Sequence, residues 1–145
     1  MIDKLIDCLE EEKNLIYKLL ELSKSQQKSL IKYDINQLNE ITPNQEFLQK
    51  KLKKYEEYRI KLLMNWLNIS SNDAMSLKLS TLEKKLDKEN MKKLRPLRLE
   101  LQKLVLDLQG YTLNNRVLVN KAKQSIQGIM MMFTRNGNQI INQKV

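Results

Sequence analysis

The chain has 145 residues, enough for one domain, and its 26 Lys and Arg outweigh 17 Asp and Glu to give a formal net charge of +9. It contains only 3 Gly and 2 Pro, whereas all-β sandwiches and barrels need many turns built from these residues. The composition therefore favours long helices over all-β folds and over alternating strand–helix folds.

Several kinds of chemistry are excluded by the residues that are missing. No histidine is present, so imidazole cannot act as a general base or a metal ligand. The single cysteine, Cys8, excludes an intramolecular disulfide and any multi-cysteine metal or iron–sulfur site. The glycines, Gly110, Gly128 and Gly137, are too far apart for a phosphate-binding loop. We therefore expect no enzymatic activity and no metal, cofactor or small-molecule ligand.

The sequence also predicts a cellular location. No run of residues approaches the ~18 apolar residues that a membrane span requires. Asp3 and Asp7 near the N-terminus are unlike a secretion signal. Together with the free Cys8, these features predict a cytoplasmic protein without a membrane span.

Residues 2–33 form the first predicted helix. Apolar residues recur there in alternating steps of three and four, the pattern of an amphipathic helix. The stripe consists of Ile2, Leu5, Leu9, Ile16, Leu19, Leu30 and Tyr33. Such a helix is roughly 45–50 Å long and needs partners along its length to bury this stripe.

The second predicted helix covers residues 43–68, after a short segment of two helical turns at 35–41. Thr42 can cap a helix, Pro43 suits its first position, and Gln45 completes a capping box. The short link makes this helix antiparallel to the first, which predicts a helical hairpin.

Two charged residues, Glu12 and Arg59, stand on the apolar seams of the hairpin. One interpretation, which we favour from the sequence, is that both side chains extend to solvent. The other is an ion pair that sets the register of the two helices. Charge supports the pairing of the helices themselves, because residues 1–48 carry a net charge of −3 and residues 49–98 one of +8.

The link to the third helix contains a second start signal. Ser80 and Glu83 have the spacing of a capping box and predict a short helix over residues 81–86. Pro96 then either kinks a helix that begins near Lys88 or lies in the first turn of one that begins near Leu94. Both alternatives remain open at this stage.

The third predicted helix covers residues 88–135. Its frame of alternating steps of three and four consists of Leu94, Leu97, Leu101, Leu104, Leu108, Tyr111, Asn115, Leu118, Ala122, Ser125, Ile129 and Met132. Gly137 fits a helix end, and residues 136–145 are polar and predicted to be a flexible tail. The predicted fold is therefore all-α: a single domain over residues 1–135, made of an elongated antiparallel hairpin and a long third helix, like a three-helix bundle or coiled coil.

This third helix has more apolar surface than one contact can bury. Leu99, Leu106 and Leu113 form a second line, and residues 117–119 and 130–133 are apolar at consecutive positions. The helix either lies in the middle of the bundle, forms a homodimer seam, or exposes a surface that binds another protein. We predict a partner-binding surface formed by Leu113, Val117, Leu118, Ala122, Ile126, Ile129, Met130, Met132 and Phe133.

Charge near the C-terminus leaves further alternatives. No acidic residue occurs between Leu108 and Val145, but five basic ones do. A partner of complementary negative charge would be attracted. A basic, nucleic-acid-associated helical protein is an alternative, although no nucleic-acid motif is visible. A structural coiled-coil component that self-associates is a second alternative. The sequence also leaves open whether the protein is a homodimer.

The segment Tyr111-Thr112-Leu113-Asn114-Asn115-Arg116-Val117-Leu118, in a long helix that follows a helical hairpin, resembles the FlgN-type flagellar export chaperones. The family's paired-Asn stretch is similar to Asn114-Asn115 through Leu118, and the resemblance extends to Phe133. It implies a cytoplasmic chaperone of flagellar type III secretion. Such a chaperone binds terminal helices of hook-associated proteins, prevents their premature assembly and delivers them to the export apparatus and its ATPase. The resemblance places substrate contact at roughly residues 113–133, where the apolar surplus lies.

Overall fold

The protein is a bundle of long helices. The computed structural model describes the backbone of residues 1–144 and the side chains of residues 1–134. Its helices are α1 (Ile2–Lys32), α2 (Ile35–Leu67), α3 (Ser71–Ser76), α4 (Leu79–Lys84) and α5 (Lys88–Lys144), and the described residues contain no strand. The predicted all-α class is confirmed.

A two-residue link joins α1 to α2. Tyr33 ends α1 in the left-handed conformation, with φ of 55°. Asp34 caps α2, because its side chain accepts a hydrogen bond from the backbone N–H of Gln37 at 3.1 Å. A link this short reverses the chain direction, and the predicted antiparallel hairpin is observed.

The predicted start of the second helix at Thr42 and Pro43 is wrong. α2 is continuous from Ile35, and the Thr42 hydroxyl donates to the carbonyl of Leu38 at 3.0 Å instead of capping a new helix. Asp34 already supplies the cap. Pro43 removes one helical N–H bond, but its partner would have been the carbonyl of Asn39, an exposed residue whose carbonyl water can solvate.

The central helix is α1, not the third long helix. α1 packs against α2 on one side and α5 on the other, while no Cα atoms of α2 and α5 approach within 8 Å in the described part of the chain. α1 lies parallel to α5, since Lys93 contacts Asp3 and Asn115 contacts Ser23. α1 can occupy this position because its buried residues lie on more than one side. They include Leu5, Leu9, Leu15, Ile16, Leu19 and Leu20.

The two short helices, α3 and α4, cover the end of the bundle where α1 begins. α3 follows α2 and contacts it, α4 packs on α5, and together they contribute Ala74 and Leu82 to the core. These side chains pack in one cluster with residues of all three long helices. The cluster includes Leu5, Leu9, Leu63, Leu94, Leu97 and Leu101. The half of α1 that leads into the hairpin turn has no such cover.

α4 does not use the predicted capping box. It spans Leu79–Lys84 instead of residues 81–86, and its N-cap residue, Lys78, makes no side-chain cap bond. The Glu83 carboxylate, only 3% exposed, instead accepts hydrogen bonds from Nε of Arg95 and Nε of Arg98. These two bonds lower the pKa of Glu83 below its usual value. In the predicted capping box, the Glu83 carboxylate would have accepted a hydrogen bond from the backbone N–H of Ser80. The two guanidinium groups of α5 are stronger donors because they are charged, so Glu83 bonds them instead and joins α4 to α5.

The structure settles where α5 begins and corrects the prediction of where it ends. It begins at Lys88, so Pro96 lies inside the helix and the alternative start near Leu94 is wrong. It continues to Lys144, past the predicted end near Arg135. A single glycine such as Gly137 costs a helix only about 1 kcal/mol relative to alanine, and no proline follows it. The predicted flexible tail, residues 136–145, lies outside the residues whose side chains are described.

Candidate functional site

α5 extends well beyond its partner helix. The contacts of Asp3 with Lys93 and of Ser23 with Asn115 align each α1 residue with an α5 residue about 90 positions later. Lys32, the last residue of α1, therefore lies level with about residue 122. We call residues 123–144 the overhang. At 1.5 Å per residue, it is about 33 Å long.

The stripe of α5 that faces α1 continues into the overhang, where its described side chains are exposed. Along the shared length its members are buried or half-buried: Leu101, Leu104, Leu108, Tyr111, Asn115, Leu118 and Ala122. The next position on the same face, Ile126, is 58% exposed. It is exposed because α1 has ended, and not because the helix has turned its apolar side away.

The apolar side chains of the overhang form a continuous exposed surface. Ile126, Ile129, Met130 and Phe133 lie within an arc of about 100° and extend the α1-facing stripe. Their exposed fractions range from 53% for Ile129 to 73% for Phe133. We call these four residues the overhang stripe. Exposed apolar surface of this kind is typical of a protein-binding site.

The nine residues predicted to bind a partner do not share one surface. Leu118 and Ala122 are half-buried on the α1-facing side, in line with the overhang stripe. Leu113 and Val117 are exposed, but they lie on the opposite side of α5. We call that side the outer line; it consists of Leu99, Leu106, Leu113 and Val117. Met132, also exposed, lies between the two surfaces. Periodicity located the exposed region but did not separate its two faces.

A groove of about 410 Å³, lined by both polar and apolar side chains, lies beside the base of the overhang, between α1, α2 and α5. Asn115 of α5 lines it and is only 3% exposed. The Asn115 Nδ2 donates to the Ser23 carbonyl at 2.9 Å and to Gln26 Oε1 at 3.2 Å. Its Oδ1 has no hydrogen-bond partner among the described residues. The sequence carried one signal for this site, an amide inside an apolar frame.

The groove carries positive charge. Arg116 and Lys123 line it, and none of its lining residues in the described chain is acidic. Two cations without a local carboxylate favour a partner that brings negative charge.

An ion pair lies inside the hairpin and corrects a sequence-based expectation. Arg59 Nε donates to both carboxylate oxygens of Glu12, at 3.0 and 3.2 Å, and the Glu12 residue is 4% exposed. The expectation that both side chains extend to solvent is wrong. Burial raises the pKa of Glu12 above its usual value, and the charge of Arg59 opposes this rise. The pair belongs to the α1–α2 interface, away from the overhang.

Cys8 lies beside this ion pair and is buried. Its thiol donates to the backbone carbonyl of Tyr55 at 3.2 Å, and Glu12 Oε2 lies 3.9 Å from its sulfur. Burial, followed by the charge of Glu12, raises the pKa of Cys8 from 9.0 to about 11. A thiol in this state is a poor nucleophile, because the thiolate is the reactive form.

Cys8 is therefore expected to resist alkylation in the native protein. A pKa of about 11 in place of 9.0 lowers the thiolate fraction at pH 8 about a hundredfold, and burial slows the reaction further. Iodoacetamide labelling at pH 8, followed by mass spectrometry with and without urea, measures this. We expect rapid labelling only in urea. Rapid labelling of the native protein would contradict the buried position of Cys8.

Among the described residues, none of the helices contains an apolar stretch that would span a bilayer. In the same part of the chain, no group of three or more Cys, Asp or Glu side chains is placed to hold a metal ion.

A family model described as FlgN protein matches residues 1–143. The match includes the hairpin, the groove beside Asn115 and nearly all of the overhang. No curated protein and no solved structure matches the chain.

Proposed function

The chain belongs to the FlgN family of flagellar export chaperones, and from this premise we propose that its overhang stripe binds the terminal helix of hook-associated proteins. The observation that carries the proposal is the continuation of the α1-facing stripe of α5 beyond the end of α1. Ile126, the first position after α1 ends, is 58% exposed although Leu118 and Ala122 on the same face are half-buried.

An amphipathic helix fits this surface. It would lie along the overhang, on the same face of α5 that α1 covers before residue 123. Its apolar face would cover Ile126, Ile129, Met130 and Phe133. Methionine supports such a role, because its flexible side chain adapts to different partner surfaces. The positive charge of Arg116 and Lys123 at the base of the overhang favours a substrate with acidic residues nearby.

Binding of this kind accounts for a chaperone's work. A covered terminal helix cannot pair with its neighbours, so the substrate is kept from assembling early. A helix that becomes ordered only on binding loses conformational entropy, which moderates its affinity and allows release at the export apparatus and its ATPase. We place this activity in the cytoplasm, where unassembled substrate is handled.

Titration calorimetry tests the proposal. The full chain is titrated with a C-terminal fragment of a hook-associated protein from the same organism. We expect saturable one-to-one binding, a negative heat-capacity change from apolar burial, and a modest dependence on salt. Absence of binding would overturn the proposal. Binding to duplex DNA that weakens steeply with salt would instead favour the nucleic-acid alternative.

A further inference from the structure

We propose that the turn between α1 and α2 is the end wall of the substrate site, and that Tyr33 and Ile31 pack against the end of the bound substrate helix. This inference rests on the proposed function and adds two partner-contacting residues outside α5 to it. The occupant is the end of the same amphipathic helix that covers the overhang stripe.

The turn lies where the overhang begins. Lys32, the last residue of α1, is level with about residue 122 of α5, and Tyr33 follows it directly. A helix that lies along the overhang on the α1-facing side of α5 is therefore in line with α1, and one of its ends meets the turn. The substrate helix cannot extend further along that side, because α1 occupies it.

Ile31 lies on the side of α1 that faces α5. It follows Lys13 by about five full helical turns, and Lys13 Nζ lies 3.3 Å from a carboxylate oxygen of Glu100 on α5. It also follows Lys24 by about two turns, and Lys24 Nζ lies 6.0 Å from the centre of the Tyr111 ring. Ile31 is nevertheless 62% exposed. It therefore adds apolar surface of α1 at the level where the overhang stripe is about to begin.

Tyr33 has a backbone conformation that disfavours tyrosine. Its φ is 55°, in the left-handed region, where the Cβ atom of any residue except glycine is crowded. It ends α1 in a motif in which the N–H of Asp34 donates to the carbonyl of Ser29 at 2.9 Å, and glycine is the usual residue at its position. Tyr33 is 73% exposed, so little packing within the chain offsets the strain. Strained residues cluster at binding sites, and a substrate helix against the ring accounts for a tyrosine here.

The charge around the turn indicates the chemistry of the substrate end. Lys28 and Lys32 lie in the last two turns of α1, and Lys121 and Lys123 lie at the base of the overhang. The carboxylate in the turn, Asp34, is already engaged as the cap of α2. A substrate helix whose end carries an acidic residue beside an apolar one therefore fits this wall. A second copy of this chain fits less well, because it would bring a net charge of +9 to these lysines.

Calorimetry with Tyr33→Gly tests this inference. Glycine adopts a φ of 55° readily, so the variant loses the ring but should keep or raise its melting temperature. We expect the hook-associated fragment to bind this variant about tenfold more weakly than the wild type. Tyr33→Phe keeps the ring and should bind as the wild type does.

Asn68→Gly is the matched control for Tyr33→Gly. Asn68 is also exposed and has a φ of 53°, but it ends α2 at the opposite end of that helix from the turn. The fragment should bind this control with unchanged affinity. A lower melting temperature in Tyr33→Gly alone would show that the Tyr33 ring packs within the chain, which would contradict its role in the wall.

Ile31→Asp tests the second residue of the wall. A carboxylate at Ile31 should weaken binding about tenfold, because it would lie in an apolar contact. Phe47→Asp is its control, since Phe47 is 64% exposed but lies about 18 Å along α2 from the turn. We expect the control to bind the fragment normally.

The outcomes separate this inference from the proposed function. Wild-type affinity in either Tyr33→Gly or Ile31→Asp overturns the end wall, while the proposed function stands as long as the wild-type chain binds the fragment. Failure of the wild-type chain to bind overturns both. A dimer of the free protein that Tyr33→Gly dissociates, measured by sedimentation, would assign the wall to a second copy of the chain instead.

Discussion

Ile126→Asp combined with Ile129→Asp is expected to weaken binding of the hook-associated fragment about a hundredfold or more. Each substitution places a carboxylate in a contact that is apolar in the complex, where an unpaired charge is strongly disfavoured. A loss of about 1.4 kcal/mol per site already gives a hundredfold in total. Helix content and melting temperature should stay unchanged, because these side chains are 58% and 53% exposed in the free protein. Calorimetry and circular dichroism measure both effects.

The control for this pair adds the same charge to the opposite face of α5. Leu106→Asp with Leu113→Asp alters the outer line, whose side chains here are 66% and 58% exposed, and should leave fragment binding intact. Loss of binding in the control pair alone would move the substrate site to the outer line. Loss of helix content in the Ile126 and Ile129 pair would mean that the overhang stripe is packed in the free protein. Leu118 suits such a test less well, because it is half-buried beside α1.

Arg59→Met is expected to lower the free energy of unfolding by about 2–3 kcal/mol at pH 7. The substitution leaves the Glu12 carboxylate, in a residue 4% exposed, without its charged partner. Removing one member of a buried pair costs about 3–5 kcal/mol, and we reduce this because the Arg59 side chain is 23% exposed. Urea denaturation monitored by circular dichroism measures the change.

The destabilisation caused by Arg59→Met should depend on pH. Burial already raises the pKa of Glu12, and loss of Arg59 raises it further. The folded variant then holds the proton more tightly than the unfolded chain does. Its destabilisation is therefore greatest at neutral pH and shrinks as the pH falls through the folded pKa. Urea denaturation of Arg59→Met and of the wild type is measured at pH 7 and at pH 5. The two curves should lie closer together at pH 5 than at pH 7.

A variant without either charge is the control. Glu12→Leu with Arg59→Met removes the whole pair and should be within about 1 kcal/mol of wild type or more stable, since no buried charge is left unpaired. If the double variant were as unstable as Arg59→Met, the effect would come from lost packing. A pH-independent loss in Arg59→Met would show that Glu12 is not the group left uncompensated.

Start signals show how far local sequence reasoning extends. Thr42 with Pro43 and Ser80 with Glu83 both satisfy local rules for a helix start, but neither pair caps a helix in the folded chain. In the first case a nearer cap, Asp34, has already begun the helix. In the second, Glu83 bonds Arg95 and Arg98, which lie 12 and 15 residues away. Local signals fail where a competing partner is available.

The helical class, the hairpin and the surplus of apolar residues at 117–133 could all be predicted before the structure was known. These follow from apolar spacing and turn composition, which are local properties. Three features emerge only once the helices are packed together: the central position of α1, the pairing of Glu12 with Arg59 and the bonds of Asn115 to α1. These features depend on contacts between residues 47 positions apart for the ion pair and 92 apart for Asn115 and Ser23. Helix register and packing decide such contacts, and periodicity alone does not specify which side of a helix meets which neighbour.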